Sequence, residues 1–208
     1  MIIVHHLDDS RSQRILWLLE ELGLPYEIRQ HKRDPETRLA PPELRQIHAL
    51  GKSPVITDEG RVIAESGAIV DYIIRHYGGG ELQPPTSKPE YDDYVQWMHY
   101  AEGSAMLPLL LKLNAAQVGE AARPIMPRIE AEIVNHLGYI DTALCARDYL
   151  LGMQMTGADV QLSFVGELAA ACFDCSAYPN MIAWVKRFQA RPAYQAALER
   201  GGPYAFAL

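Results

Sequence analysis

The chain has 208 residues, 49% of them hydrophobic and 22% charged, with a formal net charge of −7. This composition can bury a substantial core, in one domain or two small ones, and excludes wholesale disorder. The acidic balance speaks against nucleic acid as the main partner, and no apolar run approaches the ~20 residues that a membrane-spanning helix needs.

Ile2-Ile3-Val4 is a short apolar block that follows no basic residue and gives way to polar residues at once. It does not read as a signal peptide, so the expected location is cytoplasmic. The cysteines are Cys145, Cys172 and Cys175; few and odd in number, they do not suggest a disulfide framework.

In chain order, residues 2–7 read as a strand. From Ser12 onward Ile15, Leu18, Leu19 and Leu22 follow helical spacing, and Gly23 stops that helix just before Pro25. Tyr26-Glu27-Ile28-Arg29 alternates as a second strand. Residues 31–42 are polar, hold three prolines and read as a loop, with a short helix from about Pro42 to Ile47. Val55-Ile56-Thr57 and Val62-Ile63-Ala64 flank Asp58-Glu59-Gly60-Arg61, a hairpin signal. Ser66 then reads as the cap of a helix bearing Ile69, Tyr72, Ile73 and Tyr77, closed by Gly78-Gly79-Gly80. This βαβαββα order implies a mixed sheet covered by helices in a domain of residues 1–80.

Leu82-Gln83-Pro84-Pro85-Thr86-Ser87-Lys88-Pro89 then marks a proline-rich linker, taken as 81–88. Beyond it the periodicity is helical, with segments at 89–113, 122–146, 157–173, 179–190 and 192–199. An all-helical domain of residues 89–208 is expected. Within it Thr156 and Asp159 have capping-box spacing, and losing Asp159 to alanine is expected to cost roughly 0.5–2 kcal/mol of stability.

The most chemically informative stretch is Ser10-Arg11-Ser12-Gln13-Arg14, which carries the first strand into the first helix. It places hydroxyls and free backbone N–H groups at a positively polarised helix start, a setting for an anion or a thiolate. Together with Ala49-Leu50-Gly51-Lys52-Ser53-Pro54-Val55, Glu65-Ser66 and Thr156-Gly157-Ala158-Asp159, in that order, it resembles the cytosolic glutathione S-transferase superfamily over essentially the whole chain. The likeness runs toward serine-type bacterial and fungal members. It implies a thioredoxin-like first domain that binds glutathione and a helical second domain with the electrophile pocket.

A free thiol of this kind has a pKa near ~8.5, and bringing it to ~6.5 takes ~2.7 kcal/mol of thiolate stabilisation. A hydroxyl hydrogen bond to a charged acceptor supplies roughly 1.5–3 kcal/mol and the helix terminus roughly 0.3–1, so together they suffice. Ser10 is the favoured thiolate donor; Ser12 is the alternative, equally well read as the helix cap, and Arg11 would assist by its charge. The resemblance further implies a cis bond before Pro54, a backbone pairing of Val55 with the cysteinyl part of glutathione, and Lys52 near the glycyl carboxylate. Ser53 belongs to the same binding loop. Ser66 would offer its hydroxyl and helix-start N–H groups to a carboxylate, and Glu65 would pair with the α-ammonium.

Trp97, Tyr100, Met106, Leu109 and Leu110 are the candidates for the apolar electrophile pocket, although such residues at helical spacing are more often core. Glu102 on the same helix is a further candidate, reaching the glutathione of a partner subunit. The resemblance thus implies a homodimeric detoxification enzyme that conjugates glutathione to small hydrophobic electrophiles, without a metal. The alternatives are a glutathione-dependent disulfide reductase or peroxidase and a non-catalytic binding or assembly module. Cys172-Phe173-Asp174-Cys175 reads as two buried thiols at a helix end rather than a redox pair. His5 and His6 alternate faces, so one is expected in the core and the other at the surface.

Overall fold

The computed structural model describes residues 1–208. They divide into two compact units, one of Met1–Pro84 with Phe188–Ala207, the other of Pro85–Arg187 with Leu208.

The first unit holds strands β1 (Ile2–Leu7), β2 (Tyr26–His31), β3 (Val55–Asp58) and β4 (Arg61–Ala64) and helices α1 (Gln13–Glu21), α2 (Leu44–Ile47) and α3 (Ser66–Tyr77). The sheet order is β2-β1-β3-β4, with β1 parallel to β2 and antiparallel to β3, which in turn is antiparallel to β4. This is the mixed four-stranded sheet that the element order implied. Helix α1 ends as Gly23 requires: Gly23 sits at φ 61, its N–H donates to Glu20 C=O and the Leu24 N–H reaches Leu19 C=O, a Schellman stop. In the hairpin, Glu59 and Gly60 both take positive φ, as a type I′ turn demands.

Val4, Ile15, Leu16, Leu18, Leu19, Ile56, Ile69 and Ile73 are fully buried and form the core between sheet and helices. The chain end joins them. Helix α9 (Pro192–Gly201) follows its sequence periodicity but belongs to this first unit, not to the helical domain expected over 89–208. The reason is a second apolar face on α1: Trp17 is wholly buried, stacked on Phe188 at 5.2 Å and edge-on to Tyr194 at 5.5 Å. Arg191 and Arg200 fasten the same contact on Glu21 and Glu20. Gly201 comes so close that a methyl there would lie 2.7 Å from Gln13 Oε1 and 2.9 Å from Leu16 Cδ1.

The second unit carries α4 (Glu90–Tyr100), α5 (Met106–Val118), α6 (Met126–Ala143), α7 (Gly157–Cys172) and most of α8 (Pro179–Gln189). Where the sequence reads as one helix over 89–113, Ala101–Ala105 forms a π-helical turn between α4 and α5. Helix α7 is buried along Gly157–Ala169 and begins in the expected capping box. The Thr156 hydroxyl accepts from the Ala158 N–H and Asp159 Oδ2 accepts from the Thr156 N–H at 2.9 Å. Asp159 does more than cap: its Oδ1 also accepts from the Leu150 N–H at 2.9 Å and Trp184 Nε1–H at 3.0 Å.

Burial raises the Asp159 carboxyl to about 6, against the pull of these three hydrogen bonds to it and of a fourth donated by the Thr156 hydroxyl at 3.1 Å. Asp159→Ala leaves the Trp184 and Leu150 donors buried without an acceptor, each at about 1–3 kcal/mol, so the cost exceeds that of a cap alone. Urea unfolding of the full chain is expected to show a loss of about 3 kcal/mol or more; a loss under ~1 kcal/mol would show that the site relaxes or rehydrates.

Candidate functional site

The turn between β1 and α1 is braced from outside. Arg33, in the loop after β2, donates through Nε to the Asp8 C=O at 3.0 Å and through Nη2 to the Asp9 C=O at 3.2 Å. Asp9 takes φ 48, a region that few non-glycine residues enter. Its carboxylate accepts from Arg38 at 2.9 Å and from the Ala205 N–H at 2.8 Å.

Inside that frame lies a buried polar cluster. Ser12 has no exposed surface. Its Oγ accepts from the Leu7 N–H at 3.1 Å and lies 2.8 Å from both Ser10 Oγ and His6 Nδ1, with the Leu7 C=O at 3.2 Å. Ser12 stands at the N-cap position of α1 but makes no side-chain cap bond; its hydroxyl is turned into the strand instead of up the helix. Ser10 is 5% exposed, and its Oγ accepts from the Ser12 N–H at 3.2 Å. Ser12 is thus surrounded by partners, while the Ser10 hydroxyl has only Ser12 as a neighbour for its proton. Arg11 is half-buried in the same turn.

Both histidines of β1 are 2% exposed, so neither is the surface residue that strand alternation predicted. Alternation does hold, but both faces of this strand are covered. His5 Nε2 lies 3.0 Å from Thr57 Oγ1 and its Nδ1 3.4 Å from His31 Nε2. Burial lowers His5 to about 4, with His31 and Arg29 adding to the effect. His6 is likewise lowered to about 4, by burial first; Asp8 and the Gly201 backbone act in its favour and His31 against it. Both rings are neutral near pH 7.

The binding-loop residues gather at the same end of the sheet. The Ser53–Pro54 bond is cis, and the Ser53 hydroxyl donates to the His5 C=O at 3.1 Å. Val55 is not where a ligand backbone can pair with it: it faces His5 on one side and Ala64 on the other within the sheet. The residues just before β3 are Ser53 and Pro54, of which only Ser53 carries a backbone N–H. Lys52 is exposed in the loop, beside Gly51 at φ 59.

Because His5, Val55 and Ala64 stand in line across three strands, the end of β1, the start of β3 and the end of β4 converge. Glu65 and Ser66 follow directly. Glu65 is the N-cap of α3 and adopts φ 68, ψ 116, a strained conformation of the kind that collects at functional sites. Ser66, expected as the cap, is the first helical residue, and its hydroxyl accepts from Arg14 Nη2 at 2.6 Å. Sequence reading passed over Arg14. Its one signal was an arginine beside Ile15 and Leu16 on a helix otherwise apolar there; at 1% exposed it lies within the core.

The predicted electrophile pocket fares differently. Trp97, Met106 and Leu109 are core residues of the second unit, at 5%, 1% and 0% exposed. Trp97 stacks on Tyr139 at 5.2 Å, and the half-buried Tyr100 hydroxyl meets His136 Nδ1 at 2.8 Å. Leu110 alone of the five is exposed. One groove of this unit, of about 430 Å³, is lined by Leu107, Leu111, Ile125 and Ile129 with Arg128, Glu132 and His136 and by none of the five; another, of about 420 Å³, has Trp97 in its wall beside Glu90, Asp93 and Tyr139. Of the paired cysteines, Cys175 is buried as expected and Cys172 is exposed; the helix ends at Cys172 and carries it to the surface.

Residues 10–76 match the family model of the glutathione S-transferase N-terminal domain. The chain is 35% identical to glutathione S-transferase 3 of Schizosaccharomyces pombe, over 96% of this chain and 88% of that one. Among solved structures, a glutathione S-transferase of Actinobacillus pleuropneumoniae superposes with a TM-score of 0.89 at 32% identity, over 99% of this chain and 94% of that one. A glutathione transferase family member of Pseudomonas fluorescens, with two glutathione bound, gives 0.79 at 26% identity, over 95% and 92%.

The depressed histidines carry a pH signature. A group held below its unfolded value contributes stability above that value and loses it as pH falls toward the folded one. The difference in denaturant midpoint between wild type and His5→Asn is therefore expected to be full at pH 7 and to shrink as pH drops from 6.5 toward about 4. A difference that stays flat across that interval means that His5 titrates normally in the fold.

Proposed function

The chain belongs to the glutathione S-transferase family, and we propose that it binds glutathione in its first unit and ionises the thiol with Ser10. The observation that carries this reading is the hydrogen-bonded pair Ser10–Ser12 at the start of α1, beside the cis Ser53–Pro54 loop. Ser10 is the better donor of the two because the Ser12 proton has His6 Nδ1 and the Leu7 C=O as inward acceptors. Rotation of the Ser10 O–H from Ser12 to a bound sulfur exchanges a neutral hydrogen bond for a charged one, roughly 1 against 1.5–3 kcal/mol. The helix start adds its own share.

The remaining contacts distribute along the ligand by charge. Ser53 supplies free backbone to the cysteinyl segment, in place of Val55. Ser66 offers its own O–H to a carboxylate while Arg14 donates into its oxygen from behind, which polarises the hydroxyl toward an anion. The exposed Glu65 side chain pairs with the α-ammonium, and Lys52 with the glycyl carboxylate. The thiolate then attacks small apolar electrophiles, a detoxification chemistry assigned to the cytoplasm; no helix is long and apolar enough to cross a membrane. A homodimer belongs to the same reading, supported by the apolar groove and by exposed Leu107, Leu111 and Ile125 around it.

The residues of the first unit include no cysteine, so a reductase or peroxidase activity would run on glutathione alone. Thiolate absorbance of bound glutathione, titrated with pH, tests the reading. Wild type is expected to show the thiol pKa depressed by about two units, and Ser10→Ala to lose at least one of them with S-methylglutathione affinity within about threefold. A depression that survives in Ser10→Ala moves the role to another donor; absence of binding favours the non-catalytic module.

A further inference from the structure

His6 has no part in the chemistry just described, yet it stands one hydroxyl behind it. We propose that His6 is a positioning residue for the glutathione thiolate: through Ser12 it sets the direction in which the Ser10 hydroxyl donates. The inference rests on the reading of Ser10 as the thiolate donor.

The geometry leaves little freedom. Nε2 of His6 faces Gly201, where a methyl would lie 3.4 Å from that nitrogen, and the Gly201 backbone acts to favour a proton on the ring. In the proposed resting state the neutral ring carries its proton on Nε2, on the Gly201 side, and Nδ1 is a lone pair. At 2.8 Å that lone pair takes the Ser12 proton, and Ser12 Oγ, which already accepts from the Leu7 N–H, offers Ser10 only an acceptor. With His6 neutral the chain therefore runs inward, Ser10 to Ser12 to His6, and the Ser10 proton is held away from the ligand side until a charged sulfur draws it out.

A proton taken up from solvent at Nδ1 changes this. Ser12 Oγ then accepts from Nδ1–H and from the Leu7 N–H, and its own proton turns to Ser10 or to the Leu7 C=O; either way Ser12 no longer accepts from Ser10, and the Ser10 O–H is left to point at the sulfur. An anion at the sulfur position and a proton on His6 thus favour one another through the two serines, and the coupling is reciprocal. The groups that face His6 bear on the same balance: Asp8 in the turn favours its charge, His31 of β2 opposes it, and Gln13 of α1, buried with neither amide atom hydrogen-bonded in the protein, contributes no charge.

The test compares the His6 ring pKa, followed by NMR, in complexes with glutathione sulfonate and with S-methylglutathione. The first holds a permanent anion at the sulfur position and the second holds none. The expected result is a His6 pKa higher by about one unit in the sulfonate complex, with at least half of that difference lost in Ser12→Ala. Equal values in the two wild-type complexes overturn the inference whatever the variant does. A difference that persists undiminished in a folded Ser12→Ala also overturns it, because the coupling would then be through space. If neither ligand binds, the glutathione reading falls and this inference with it; binding of both with an unmoved His6 removes this inference alone.

Discussion

A single buried hydroxyl joins the end of β1 to the start of α1. Ser12 ties to Leu7 at backbone N–H and C=O, to His6 on the strand and to Ser10 in the turn. Burying so many polar atoms is costly unless each finds a partner, and this cluster satisfies them by fixing every participant. The N-cap bond that Ser12 forgoes is worth about 1 kcal/mol. What the exchange secures is a turn whose shape does not depend on the ligand, which matters because a reacting thiol tolerates little misplacement.

The same logic extends outward from the turn. Arg33 holds the Asp8 and Asp9 carbonyls, Asp9 holds the Ala205 N–H, and α9 closes on α1 through Trp17, Phe188 and Tyr194. Phe188–Ala207 are thus part of the scaffold of the N-terminal site, not an appendage of the helical unit. A boundary drawn at the proline-rich linker falls near Pro84, where the leading segment of the first unit ends, but the packing does not follow it. Cutting the chain at Pro84 would expose the wholly buried Trp17 and remove one brace of the turn.

What the sequence made legible was local and periodic. Gly23, the Glu59-Gly60 turn and the Thr156–Asp159 box each encode a backbone geometry that few residues satisfy, and each stands as read. What it hid depended on which way a side chain turns. Ser12 looked like a cap because spacing reports a position, not a rotamer. One of His5 and His6 looked like a surface residue because alternation cannot say that both faces of β1 are covered. Val55 looked available because a sequence does not show that a strand has neighbours on both sides. Trp97, Met106 and Leu109 were selected for apolarity at helical spacing, and that criterion selects core first.

Arg14 and Glu65 show the converse, where a local rule is broken and the breach is informative. An arginine in the apolar core and a glutamate at φ 68 are both unfavourable in isolation. They meet at one residue, Ser66: Arg14 donates to its hydroxyl, and Glu65 bends the chain so that α3 begins there. Two separate costs converging on one hydroxyl are hard to explain by folding, since an ordinary cap at Glu65 and an apolar side chain at position 14 would serve the core better. They are accounted for if Ser66 must face an anion with positive charge behind it. The Ser10 turn follows the same plan in neutral form, with His6 standing behind Ser12 where Arg14 stands behind Ser66. One hydroxyl is backed by a permanent cation and suits a carboxylate. The other is backed by a base that holds no proton near pH 7 and suits a group whose own charge comes and goes.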